Sequence, residues 1–385
     1  MREPTGTGEA TRRDLRRELL AAMSEGVQVP WSEERFDDLA LRIFRYQAEF
    51  NPVYRALVEA RGMDPVGVSG WRQIPPIPTR AFKEFSVAGS SPEPPQARFR
   101  TSGTTGGRER RGEHPIRDLS LYRASLLASA TGFLRPEAEL RGPDWADRSL
   151  RVLALLPDPQ ERTDSSLAHM AGVLAEAWDD GKGGFFLDTE WRIDHLGFQR
   201  ALDQSAGLGA PVLLLGTAFA FVRWLDGGPT RTPLPPGSRI METGGFKGRS
   251  REVTRVHLYA ALSDSFAVPV ERIVNEYGMT ELLSQFYEPV ISEGVDPGPQ
   301  ARRHVGPPWI RTRVLDPETL EPVQPGRTGL LSHLDLANLD SVSGVLTEDL
   351  GIQLPDGFRV LGRVAGAEPR GCSLAMEELL SSTGR

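Results

Sequence analysis

Apolar residues recur at helical spacing from Thr11 to Met23, among Arg and Glu, and again from Ser32 to Glu59, where Asn51-Pro52 interrupts the pattern. Both stretches predict helices, the second broken in two because Pro lacks the N–H that a continuing helix needs. Residues 1–9 are polar and predict disorder. The run Ile74-Pro75-Pro76-Ile77-Pro78, leading to Phe82-Lys83, and the stretch Ser90 to Pro95 predict turns and loops. A helix is predicted from Asp118 to Thr131. Strand and helix patterns then alternate. Leu150–Leu156 reads as a buried strand ended by Pro157, and Leu167–Trp178 as a helix. Pro211–Leu215 reads as a strand, closed by Gly216-Thr217 and followed by a helix to Leu225. Arg239–Glu242 and Arg272–Asn275 read as strands on either side of a helix from Arg251 to Phe266.

Strands that are apolar almost throughout, separated by helices, predict an α/β fold whose largely parallel sheet is covered on both faces. After about residue 300 short strands and turns take over, marked by Pro307-Pro308, Pro325-Gly326 and Pro355-Asp356-Gly357. Four segments follow: a helical N-terminal segment over 1–95, an α/β core over 96–300, a β-rich subdomain over 301–360 and a short C-terminal segment over 361–385.

Composition narrows the classes. At 385 residues, 39% hydrophobic and 25% charged, the chain reads as soluble and globular. A net charge of -7 argues against nucleic-acid binding. The longest apolar run, Val212 to Val222, is interrupted by Gly216 and Thr217 and is too short to span a bilayer. Met1 to Ala10 lacks the apolar segment of a secretory signal, and Cys372 is the single cysteine, so the expected location is the cytoplasm.

Two clusters carry candidate chemistry. Thr101-Ser102-Gly103-Thr104-Thr105-Gly106-Gly107 combines Gly, which lets backbone N–H groups converge on an anion, with hydroxyl donors. Its residues fit a phosphate cradle or a flexible linker, and it lacks the Gly-Lys-[Ser/Thr] ending of the common P-loop. Asn275-Glu276-Tyr277-Gly278-Met279-Thr280-Glu281 follows a predicted strand, where α/β proteins place ligands. Tyr277 offers a ring for stacking, Gly278 close backbone approach, and Thr280 and Glu281 oxygens suited to Mg²⁺. A polar strand-to-helix turn has the same composition. The six histidines show no zinc spacing.

Together, and in order along residues 95–385, these motifs resemble the adenylate-forming superfamily of acyl-CoA synthetases, luciferases and peptide-synthetase adenylation domains. Leu167–Gly172, with His169, resembles its acyl-pocket segment, and Thr243–Gly248 its adenine-facing Gly-Gly segment. Gly326–Leu330 resembles its Gly-Glu-x-Gly-Glu turn, Leu346–Gly351 its Thr-Gly-Asp segment with Glu348 in place of Gly, and Leu361–Arg363 its hinge. The resemblance implies that a carboxylic acid and Mg-ATP give acyl-AMP and pyrophosphate. By it, Thr101, Ser102, Gly103, Thr104, Thr105 and Gly106 hold phosphates, Thr280 meets the α-phosphate and Glu281 the metal. Gly244, Gly245, Tyr277 and Gly278 line the adenine site, and Asp349 and Arg363 meet the ribose region.

Superfamily members usually continue past the hinge into a mobile domain with a catalytic Lys, whereas this chain ends 22 residues after Arg363. Lys247, in the Gly-Gly segment, is one of few candidates for that charge; a solvated surface lysine is its other reading. The short ending, with Gly371-Cys372-Ser373, resembles the acyl-protein synthetase branch of bacterial bioluminescence. That implies a fatty acid substrate, acylation of Cys372 and an acyl-reductase partner. Cys372 is expected at a mobile chain end, just before a helix from Ser373 to Leu380, with Arg370 nearby to favour its thiolate. An inert buried cysteine is its other reading, and a core histidine that of His169. The alternatives are a ligase acting on coenzyme A or a carrier protein, and a nucleotide-binding regulatory relative with reduced turnover.

Overall fold

In a computed structural model the described residues are 6–89, 91, 93–101, 111–137, 150–244, 253–363 and 370–383. The chain divides into two compact units, which group it differently from the four segments read in the sequence. One holds residues 1–129, 279–285 and 305–385, and the other 130–278 and 286–304.

In the first unit Ser32 caps the helix Glu33–Phe50 by accepting from the Arg35 N–H at 3.2 Å, and two glutamates in the first turn complement the helix dipole. Asn51 then ends that helix and starts the next. Its N–H donates to Gln47 O, its side chain accepts from Tyr54 N, and Pro52 opens Pro52–Ala60. The first helix runs over Gly6–Met23, so residues 6–9, expected to be disordered, are helical. Arg12 explains this: its guanidinium bonds both Asp340 carboxylate oxygens at 2.5 and 2.6 Å.

The unit's sheet is built on the long strand Gly344–Leu354. Ile77–Pro78 pairs with it in parallel, and Thr328–Asp335 and Gly357–Arg363 pair with it antiparallel. Ile310–Leu315 adds to Thr328–Asp335. Ala97–Arg100 and Glu113–Ile116 form a separate two-stranded ribbon on either side of the Thr/Gly-rich sequence.

The second unit is the predicted α/β layer. Its sheet runs Gly184–Leu187, Arg151–Pro157, Val212–Thr217, Arg239–Thr243, Ile273–Tyr277 and Phe286–Tyr287. The first five strands are parallel and the last antiparallel. Val212 to Leu215 are wholly buried, and Val212 and Leu214 pack with Phe198, Phe221 and Trp224 of the helices His195–Leu208 and Ala218–Asp226. The helix predicted from Arg251 is described from Arg255, where Thr254 caps it by accepting from His257 N. Among the described residues no helix is long and apolar enough to cross a membrane.

Candidate active site

Within the first unit the site grows from three places on the backbone. The ribbon Ala97–Arg100/Glu113–Ile116 closes at Thr101, whose N–H donates to Gly112 O and whose hydroxyl accepts from Gly112 N, both at 2.9 Å. Ser102, Gly103, Thr104, Thr105 and Gly106 lie outside the described residues.

The second place is Thr280–Glu281, and its backbone is fixed by buried side chains. His114 donates from Nδ1 to the Thr280 carbonyl at 2.7 Å, because a carbonyl can only accept. Burial holds the His114 ring neutral, its pKa pushed down to about 4, so Nε2 accepts from the Ser341 hydroxyl at 2.9 Å. Asn338 donates to the Glu281 carbonyl at 2.8 Å. Asp335 accepts from the N–H groups of Leu283 and Ser284 at 2.9 and 2.8 Å, and from the Ser284 hydroxyl at 2.7 Å. That hydroxyl also lies 2.9 Å from Ser125, which receives the Trp309 indole N–H. Gln47 braces the loop behind, donating to Asn338 O and Leu339 O and accepting from Ser343.

The third place is the pair Asp349 and Arg363, register partners across the antiparallel strands, with Arg363 Nε 3.2 Å from Asp349 Oδ1. Glu281 feels this pair. Burial is the main cause that raises its carboxyl to about 7; its own backbone N–H and Arg363 oppose the rise, while Asp349 and Glu348 add to it. A cation beside these carboxylates would return Glu281 to its charged form. Among the described residues no three His, Cys, Asp or Glu side chains gather into a metal site. Mg²⁺ takes one or two carboxylates and completes its shell with water and substrate phosphates. Glu281 fits such a role.

Cys372 takes the buried one of its two readings. The helix runs over Arg370–Ser382, so Cys372 sits inside its first turn rather than before it. It is 1% exposed, packed with Leu315, Leu330 and Leu346, and its Sγ is 3.9 Å from Thr347 O. The docking depends on Gly371: a Cβ there would lie 2.6 Å from Leu320 Cδ2 and 2.8 Å from Pro317 O. Thr347 links this place to the strand that carries Asp349, since its hydroxyl accepts from Asp349 N at 3.1 Å.

The other candidates belong to the second unit. Tyr277 is half-buried, its ring 5.9 Å from that of Phe286 and 5.8 Å from that of His304. Gly278 follows it in the turn. Gly244 takes φ 70°, a conformation that favours glycine, as a Gly-Gly turn requires; Gly245 and Lys247 lie outside the described residues. His169 is half-buried on Ser166–Trp178. Beneath these, Glu242 accepts from Tyr259 Oη and Asn275 Nδ2, and Glu276 accepts from the Thr243 hydroxyl. Burial is the chief cause that pushes both carboxyls up to about 7.

The sequence reading missed His114, Asp335 and Asn338. No local motif marks them, because each acts across more than fifty residues of chain. Their one visible signal is a polar residue inside otherwise apolar strand and loop patterns.

The fold matches that of known enzymes. The chain superimposes on an open form of 2-hydroxyisobutyryl-CoA ligase, solved with 2-HIB-AMP and CoA, with a TM-score of 0.58 and 14% identity, covering 88% of this chain and 77% of that one. The postadenylation state of the same ligase gives 0.58, with 87% and 69% covered. The fold is that of the adenylate-forming ligases. The family model of the acyl-protein synthetase LuxE matches residues 28–381. The chain therefore belongs to the LuxE family and is a ligase. It is 24% identical to the long-chain-fatty-acid–luciferin-component ligase of Vibrio harveyi over 96% of this chain and 97% of that one. It is 26% identical to the protein of the same name from Aliivibrio fischeri, over 80% and 79%.

Proposed function

We propose that this cytoplasmic enzyme activates a long-chain fatty acid, the acid class for which its bacterial relatives are named, and passes the acyl group to a protein thiol. The acid carboxylate attacks the α-phosphorus of ATP. The bond to the bridging oxygen breaks, and pyrophosphate leaves with the electron pair. Thr101 to Gly106 and Thr280 hold the phosphates. Asp349 accepts from the ribose hydroxyls with Arg363 beside it, Tyr277, Gly278, Gly244 and Gly245 face the adenine, and His169 lines the acyl pocket. Mg²⁺, held by Glu281, supplies charge neutralisation at the phosphates. Cys372, once deprotonated, attacks the acyl carbon and AMP leaves. An acyl reductase is the partner that takes the thioester onward.

The buried Glu281 beside Asp349, Glu348 and Arg363 carries this reading. Acid-dependent exchange of labelled pyrophosphate into ATP tests it. Glu281→Gln is expected to lower exchange about a hundredfold or more, and unchanged exchange removes the metal role. The burial of Cys372 favours a second reading, in which an external thiol of coenzyme A or a carrier protein takes the acyl group directly. Hydroxylamine-labile acyl label on this chain separates the two.

A further inference from the structure

Adenylation develops negative charge on phosphate oxygens, and that charge needs a fixed cation. The chain holds three lysines, Lys83, Lys182 and Lys247, of which only Lys83 belongs to the first unit. Three site elements converge on it. The helix Ala81–Glu84 hangs from Ile77–Pro78, which pairs with Val345 and Leu346 on the strand that leads to Asp349. Thr79 N–H donates to Leu346 O at 3.0 Å and fixes the exit from that pairing. Next to Lys83, Phe82 sets its ring edge-on against His114, with centroids 5.3 Å apart, and His114 holds the Thr280 carbonyl. The Lys83 stem itself meets the closing pair of the ribbon. A Cβ built on Gly112 would lie 3.4 Å from Lys83 Cγ and 3.0 Å from Thr101 Cγ2. Lys83 is half-buried, and its ammonium has no ion pair or hydrogen bond among the described residues. An ammonium on a packed stem with no counter-ion among the described residues is suited to an anionic ligand.

We propose that Lys83 is a catalytic residue whose ammonium contacts the phosphoryl oxygens of ATP and stabilises the charge that develops there as the acid attacks. This rests on the adenylation reading above.

Acid-dependent pyrophosphate exchange decides it. Lys83→Met keeps the stem and removes the charge. Exchange turnover is expected to fall about a hundred- to a thousandfold, with little change in the acid's KM and an unchanged melting temperature. Lys83→Arg restores a cation in a different geometry and is expected to recover part of the loss. Lys83→Met that exchanges within twofold of the parent overturns the proposal while leaving the adenylation reading intact. Loss in Lys247→Met with retention in Lys83→Met gives the charge to Lys247 instead. If Lys83→Met loses stability, equal loss in Lys83→Arg at a temperature where both are folded refutes a role for the charge. A parent enzyme with no exchange for any fatty acid withdraws both readings.

Discussion

Asp335 is wholly buried, and burial pushes its carboxyl up against four hydrogen bonds, from Ser284 (hydroxyl and N–H), Ala337 and Leu283, that favour the charged form. A carboxylate placed so is costly unless its oxygens are filled. Here they are filled by the segment that follows Glu281, so Asp335 spends its charge on positioning. Asp335→Asn keeps the shape and weakens those bonds. It is expected to lower exchange turnover about ten- to a hundredfold, as supporting residues around metal ligands do, with the Mg²⁺ concentration for half-activation raised. A variant that only melts earlier, with normal turnover below its melting point, would make Asp335 a packing residue. Glu276 is a different case. Its carboxyl, at about 7 in the folded chain, lies above the ordinary 4.5. The cost of burying its charge is absent below pH 4.5, grows between 4.5 and 7, and is full above 7. Glu276→Gln is therefore expected to stabilise the protein at pH 8, by up to about 3 kcal/mol from a shift of this size, and to leave stability at pH 4.5 unchanged. Denaturant titrations at the two pH values check this.

At the scale of elements, Asn51 shows how much one residue can fix. It caps two helices, and its Nδ2 donates to Val87 O at 2.9 Å and Ser341 O at 3.0 Å. Asn51→Ala loses an N-cap and leaves two buried carbonyls without that donor. The expected cost is about 2–4 kcal/mol, measured by chemical unfolding; a cost under 1 kcal/mol would mean that water replaces the side chain. The break at Asn51-Pro52 was legible in the sequence because capping is local chemistry. So were the apolar strands of the second unit and the helices between them. Gly184–Leu187 and His195–Leu208 were not read; the first is a four-residue, half-buried edge strand, too short to show an alternation. Ala97–Arg100 and Glu113–Ile116 were hidden for another reason: each is four residues long and its partner lies more than ten residues away in sequence. Of the candidate site, Glu281, Asp349 and Arg363 were legible as motif residues. Their braces were not, because His114 and Asp335 reach Thr280 and Ser284 from 166 and 51 residues away.

Across the whole molecule, the motif Asn275–Glu281 changes units between Gly278 and Met279, so its two halves are built on separate scaffolds, the first in the unit of Gly244 and the second in the unit of Asp349 and Arg363. The proposed acyl acceptor belongs with the second of these halves. Cys372 shares the first unit with Glu281, Asp349 and Lys83, yet its thiol is packed under the helix Arg370–Ser382. Glu378 of that helix meets Arg61 at 2.9 Å, an exposed pair worth less than about 1 kcal/mol. A buried thiol attacks nothing, so acylation of Cys372 requires the first turn of this helix to leave Leu315, Leu330 and Leu346. Gly371→Ala is expected to loosen that turn, because its methyl meets Leu320 and Pro317 O. The thiol should then react faster with iodoacetamide than in the parent. With ATP and the acid present, the parent should gain a hydroxylamine-labile acyl group that Cys372→Ala lacks, while Cys372→Ala keeps full pyrophosphate exchange. Labile label that persists in Cys372→Ala would move the acceptor to another group. Exchange lost together with the label would make Cys372 part of the packing that supports Thr347 and Asp349 rather than the acceptor.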